Sequence, residues 1–188
     1  MSRLTVDTLQ GNAATGNKIT VPAGHTLIAP GAVLQVVNST YRDSITYSNT
    51  SLNTWPLSVS ITPKLATSKM FIMFDGWIQP NSEMYAQVYL YKNGSNLSSV
   101  SNIGTTGSSQ GALAGGVVGL SIGSNNQVNQ GRNISFNVMD TAGTTNTITY
   151  DIRCQAGNAT YCSYSLGKNT SAWSQAGVLN LTIMEIAQ

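Results

Sequence analysis

General acid–base chemistry needs carboxylates or histidine gathered in a cleft, and this chain has few of either. Its acids are Asp7, Asp43, Asp75, Glu83, Asp140, Asp151 and Glu185, and its one histidine is His25. Asp75 and Glu83 flank the bend Gly76–Pro80 and could face each other as a glycosidase-like pair, although two acids across any turn would read the same way. Asp140, ahead of Thr141-Ala142-Gly143, reads as a turn former. Glu185, beside the C-terminus, reads as a solvated or interface charge. His25 sits between Gly24 and Thr26, where a surface or subunit-contact role outweighs metal binding. Gly107-Ser108-Ser109-Gln110-Gly111 matches the nucleophile elbow G-x-S-x-G, which requires a preceding strand, a following helix and a later histidine. Here the match lies in a Gly/Ser loop and the histidine comes before it. Gly104–Gly111 faintly resembles a phosphate loop but lacks the terminal lysine. Cys154 and Cys162 flank QAGNATY; two thiols cannot close a structural zinc site. They are expected to be reduced and buried rather than paired across a hairpin. No catalytic, cofactor-binding or metal-binding residue is nominated, and a non-enzymatic role is expected.

The elements that would position any site are strands. Leu57 to Gly94 reads as three of them. Leu57, Val59 and Ile61 alternate with Ser58, Ser60 and Thr62, which makes one face apolar and the other polar. Met70 to Ile78 is apolar on both parities, with Met70, Ile72, Phe74 and Ile78 on one and Phe71, Met73 and Trp77 on the other. A strand apolar on both faces is expected at the centre, between two packed layers. Ala86, Val88 and Leu90 point inward from the next strand, with Tyr85, Gln87, Tyr89 and Tyr91 on its other side as sheet-face filling or as a contact surface. Asn93-Gly94 is a strong hairpin signal, since both residues tolerate positive φ.

The remaining chain repeats this grammar. Ala32–Arg42 is a long strand, Asp43–Thr54 a polar loop, and Leu97–Val100 a short strand. Ser101–Gly116 is a Gly/Ser/Thr loop. Val118, Leu120 and Ile122 alternate, as do Ile134, Phe136 and Val138, and Ile148, Tyr150 and Ile152 up to Cys154. Asp140–Asn146 and Gly157-Asn158 turn. Tyr161–Leu166 returns, Lys168–Gln175 is polar, and Val178–Ile186 closes the chain. The strands near Val36 and Leu181 are expected to pair or neighbour each other. Eight to ten strands with turn signals every 8–15 residues, and no helical period, give an all-β class: an antiparallel β-sandwich or jelly roll. Residues 1–31 hold only short apolar pairs (Leu4 and Val6, Ile19 and Val21, Leu27 and Ile28). They are read as an extended N-terminal arm, with residues 32–188 as the head.

Composition narrows the partners. Charged residues are 9% of the chain, against roughly 25% for an average soluble domain; Ser, Thr, Asn, Gln and Gly make up the difference. Such a surface suits close subunit contacts, where burying charge is costly. Nine Lys and Arg spread along the chain against seven acids leave no phosphate-tracking stripe, so nucleic-acid binding is not expected. Neither a membrane-length apolar run nor a signal-type block is found, so membrane insertion and standard secretion are not expected either. The sequons at Asn38, Asn49, Asn93, Asn96, Asn133, Asn158, Asn169 and Asn180 are read as a by-product of Asn/Ser/Thr richness.

The phrases LTVDTLQGN, ITVPAGHTLIAPGAVLQVV, SVSITPKLATSKMFIMFDG, VYLYKNGSNL and LNLTIMEIAQ together resemble virion proteins of marine and cyanobacterial bacteriophages, of the tail-fibre or structural type. The resemblance covers most of the chain, least securely Ser101–Gln130. It implies a head similar to the tumour-necrosis-factor-like jelly roll, assembled as a homotrimer with the arm near the threefold axis. It carries over no functional residue. The expected role is a trimeric surface projection of a virion assembled in the host cytoplasm. The arm would bind other tail or capsid proteins. The loops Asp43–Thr54, Ser101–Gly116 and Lys168–Gln175 would present side chains to a host polysaccharide or receptor. A capsid decoration (cement) protein is the alternative, and a carbohydrate-binding module or glycan depolymerase is the alternative of another class.

Overall fold

The computed structural model describes residues 29–43, 45–48, 51–80, 84–97, 118–122, 132–156, 163–166 and 178–188. They form eleven strands: β1 Val33–Tyr41, β2 Ile45–Ser48, β3 Asn53–Ile61, β4 Lys69–Pro80, β5 Met84–Lys92, β6 Ser95–Asn96, β7 Val118–Ile122, β8 Arg132–Thr141, β9 Ile148–Ala156, β10 Ser163–Leu166 and β11 Leu179–Ile186. The alternating segments are the strands, because a period of two puts every second side chain on the same face of the pleat.

All pairings are antiparallel. β1 and β2 form one broken edge line, and β11 and β10 form the next. β4 follows, with β8 on its far side. The second sheet runs β3, β9, β5, with β6 and β7 sharing the last edge. Apart from the β5–β6 hairpin, each successive line changes sheet, which is the winding of a jelly roll. The first and last strands do pair, with Val36 opposite Met184 and Ser39 opposite Leu181.

The core lies between the sheets. Ile72, Phe74, Leu181 and Ile183 from one layer meet Leu57, Leu90, Ile148 and Ile152 from the other, all at most 2% exposed. Removing such side chains from water is worth about 1.5–3 kcal/mol each. Phe74 anchors the middle, stacked on Phe136 at 5.0 Å and tilted against Trp55 at 5.8 Å. That packing explains Gly76: a Cβ there would lie 2.5 Å from Phe74 Cζ and 2.8 Å from Leu179 Cδ2. β3 slips against β9 between Thr54 and Ser58. Pro56, which has no N–H to give a ladder, lies inside the slip.

Several expectations change. Asp43–Thr54 is not all loop: it contains β2 and the start of β3, because Ile45 and Tyr47 pack against the core. After the hairpin the described pairing reaches Asn96, and Leu97 is buried in the core; the rest of the expected strand, residues 98–100, lies outside the described residues. β4 is central, paired on both sides. Its outward Phe71 and Met73 are only half-buried, while Trp77 on the same parity is buried, so its second apolar parity is covered only in part. The Asn93-Gly94 turn holds, with φ of +49° and +79°. The described part of the arm begins at Ala29, and Gly31 N–H donates to Ala187 O at 2.9 Å. Ser101–Gly116, Gly157-Asn158 and Lys168–Gln175 lie outside the described residues.

Candidate functional site

The structure does not bring the acids weighed above together among the described residues. Asp75 lies exposed on β4, level with Asn180 of β11 and Ser135 of β8. Asp43 is exposed between β1 and β2. Glu83, the other half of the suggested pair, lies outside the described residues, as do Asp7, His25, Gly107–Gly111 and Cys162. Cys154 is fully buried. No group of three or more metal-ligating side chains occurs among the described residues.

Two readings of single acids are corrected. Glu185 is not solvated: its side chain is fully buried, and the carboxylate gathers four donors. Oε1 accepts from Lys64 N at 2.7 Å, Leu65 N at 3.1 Å and Ser68 Oγ at 2.7 Å; Oε2 accepts from Gln35 Nε2 at 2.6 Å. Burial alone would raise its pKa. The bonds from Ser68, Gln35, Leu65 and Lys64 outweigh that, and the net displacement is downward. The charge is held because amide and hydroxyl dipoles converge on it. Gln35 Nε2 also donates to Thr62 O at 2.7 Å, so the cluster ties β1, β11 and the turn 62–68 together. Asp140 is not in a turn: it lies in β8, and its Oδ2 meets Lys92 Nζ at 2.7 Å and accepts from Tyr150 Oη at 2.7 Å. Lys92 Nζ also donates to the carbonyls of Thr141 and Ala142. Burial, then the bond to Asp140, pushes the Tyr150 hydroxyl far above its ordinary pKa. This cluster joins the two sheets.

Two of the outward tyrosines of β5, Tyr89 and Tyr91, behave as sheet filling. Tyr89 is 5% exposed. Tyr91 carries Arg153 over its ring at 3.8 Å, and Arg153 Nε donates to Asp151 at 2.6 Å. Arg153 is thereby occupied on both sides, a cation–π contact and an ion pair.

What sequence reading missed is a surface. On the outer face of the β8–β4–β11–β1 sheet, register aligns Met139, Phe71, Met184 and Val36 in one row across all four strands. Val36 is 52% exposed and Met139 50%, while Phe71 and Met184 are half-buried. The next row toward the chain ends holds Thr141, Lys69, Ile186 and Val33, the last 54% exposed. In the opposite direction the rows become polar: Asn137, Met73, Thr182, Asn38, then Ser135, Asp75, Asn180, Thr40. Asn38, Thr40, Asn180 and Thr182 bond to one another across β1 and β11. The second apolar parity of Met70–Ile78 was the available signal, and it points to this face.

Fold and surface together define a jelly-roll β-sandwich with one partly apolar outer face. No family model matches the chain, and no curated protein matches it. Among solved structures, the EclA C-terminal domain, described as a sugar-binding protein, is similar at 15% identity over 88% of this chain and 95% of that one, with a TM-score of 0.34. A likeness of that size carries no argument.

Proposed function

We propose that this chain is a non-enzymatic structural protein of a bacteriophage virion, a homotrimeric surface projection of the tail-fibre or receptor-binding type. The observation that carries the reading is the disposition of charge. Asp140 and Glu185 are each bound into contacts that join strands or sheets, Asp151 pairs with Arg153 of its own strand, and the outward rows of the first sheet hold no charge besides Lys69 and Asp75 among the described residues. Carboxylates used this way hold a shape, and an uncharged face favours contact with a like surface. The resemblance to phage virion proteins adds to it: VLQVV, KMFIMFDG and LNLTIMEI are β1, β4 and β11, three adjacent strands of that sheet. Weak contacts to a host surface would gain from three copies acting together.

Sedimentation equilibrium on the purified chain tests the assembly, and mass spectrometry of particles counts the copies. The expected results are a species three times the 19.9 kDa chain mass and a few tens of copies per particle or fewer. Hundreds of copies would replace the projection with the decoration role. A stable monomer at micromolar concentration, or cleavage of a surface polysaccharide that one acid-to-amide change abolishes, would overturn the reading.

A further inference from the structure

We infer that Arg153, on the outer face of the β3–β9–β5 sheet, is the anion-binding residue of a saccharide site, and that its ligand is a carboxylate-bearing sugar of a host surface polysaccharide. The inference rests on the surface-projection reading and deepens it by naming a contact and the chemistry of its partner. The guanidinium is held in place before any ligand arrives. Tyr91 lies under it at 3.8 Å, and Nε donates to Asp151 Oδ2 at 2.6 Å. Arginine carries five N–H donors in a rigid fork. These contacts use one of them, and among the described residues the Nη1 and Nη2 groups meet no acceptor. The Arg153 side chain stays 23% exposed while that of Asp151 is 12% exposed, so the edge offered to solvent is the cationic one. Its two parallel donors match the two oxygens of a carboxylate, and a group already braced loses little freedom on binding.

The edge strand changes shape beside this residue. Thr54 stands opposite Arg153 and Ser58 opposite Asp151, so β3 runs four positions where β9 runs two. The extra residues include the exposed Pro56. Bulges of this kind re-aim side chains and recur beside functional sites. Past the bulge the same face is lined with hydroxyls. Ser58, Ser60 and Thr62 are exposed on and just after β3, and Thr149 is half-buried on β9. Ser60 and Thr149 bond each other at 2.8 Å, as do Thr62 and Thr147. Such groups both donate and accept, as sugar hydroxyls do. Charge then selects the ligand. Arg153 and Asp151 are the charged outward residues of β3, β9 and β5 among the described residues. A densely charged polyanion needs several cations along its path, and this face has one. A single carboxylate on an otherwise neutral saccharide fits it.

The test is an array of uronic-acid and sialic-acid saccharides beside their neutral counterparts. It is probed with wild type, Arg153→Lys and Arg153→Gln, with Lys64→Gln, exposed in the turn 62–68, as control. Far-UV circular dichroism checks each fold, and analytical ultracentrifugation reads assembly. The expected result is binding of carboxylated saccharides in preference to neutral ones, unchanged in the control. Both Arg153 variants should weaken it roughly tenfold or more, since lysine keeps the charge but loses the fork. A trimer that binds no carboxylated saccharide, binds neutral ones as tightly, or binds equally in both Arg153 variants overturns the inference and leaves the projection standing; a monomeric wild type overturns the projection reading itself. If the Arg153 variants do not fold, phenylglyoxal labelling of the wild type decides. Bound saccharide should protect Arg153 several-fold, read by peptide mass spectrometry, and equal labelling with and without saccharide refutes the site.

Discussion

Replacing Glu185 by Gln is the sharpest probe of how this sandwich is closed. The carboxylate accepts from two backbone amides, one hydroxyl and one side-chain amide, and none of its side chain is exposed. Gln keeps a carbonyl for the Lys64, Leu65 and Ser68 donors but removes the charge and turns its NH2 toward the Gln35 amide. Gln35 can relieve that clash by rotating its own amide, at the expense of its bond to Thr62 O. Hydrogen bonds to a charged group contribute about 1.5–3 kcal/mol, so the net loss for Gln is about 2–3 kcal/mol. Leu at the same position leaves three donors without an acceptor and costs about 3–5 kcal/mol. For a chain of this size, 2–3 kcal/mol lowers Tm by roughly 4–12 °C. Urea and thermal unfolding at one fixed protein concentration measure the effect, since assembly would make Tm concentration-dependent. The pH dependence has a definite sign. The folded pKa of Glu185 is lowered, so its contribution is complete above the unfolded carboxyl pKa and is lost as pH falls through the folded value. The gap between wild type and Glu185→Gln should therefore narrow on acidification below about pH 4. A variant within about 0.5 kcal/mol of wild type at pH 7, or a gap that widens in acid, would refute the reasoning.

Three further outcomes are expected. Gly76→Ala forces a Cβ against Phe74 and Leu179 and should cost about 1–3 kcal/mol, read as a lower urea midpoint with an unchanged m-value. Gly94→Ala, at φ +79°, should cost about 1–2 kcal/mol through the left-handed turn alone, visible as faster hydrogen exchange at the β5 end. Asp140→Asn weakens the contacts to Lys92 and Tyr150. It should cost about 2 kcal/mol, while Tyr150→Phe should cost nearer 1 kcal/mol; equal losses would mean that the Lys92 pair contributes nothing.

Most of the strands were legible because a period of two is a local property. Leu57-Val59-Ile61, Ile134-Phe136-Val138 and Leu179-Leu181-Ile183 announce their buried faces without reference to any partner, and Asn93-Gly94 carries its own backbone preference. β2 was not legible: Ile45 and Tyr47 are two apolar residues in a Ser/Thr/Asn stretch, and only the core beneath them makes that stretch a strand. Acid roles were misread for the same reason. The donors that hold Glu185 come from Gln35 and from residues 64–68, more than a hundred positions earlier in the chain. The apolar outer row is the extreme case. Val36, Phe71, Met139 and Met184 belong to four separate segments, and each alone reads as one more apolar strand residue. Alternation determines which face a side chain takes, but strand order and register determine its neighbours, and those depend on the whole sandwich closing around one core.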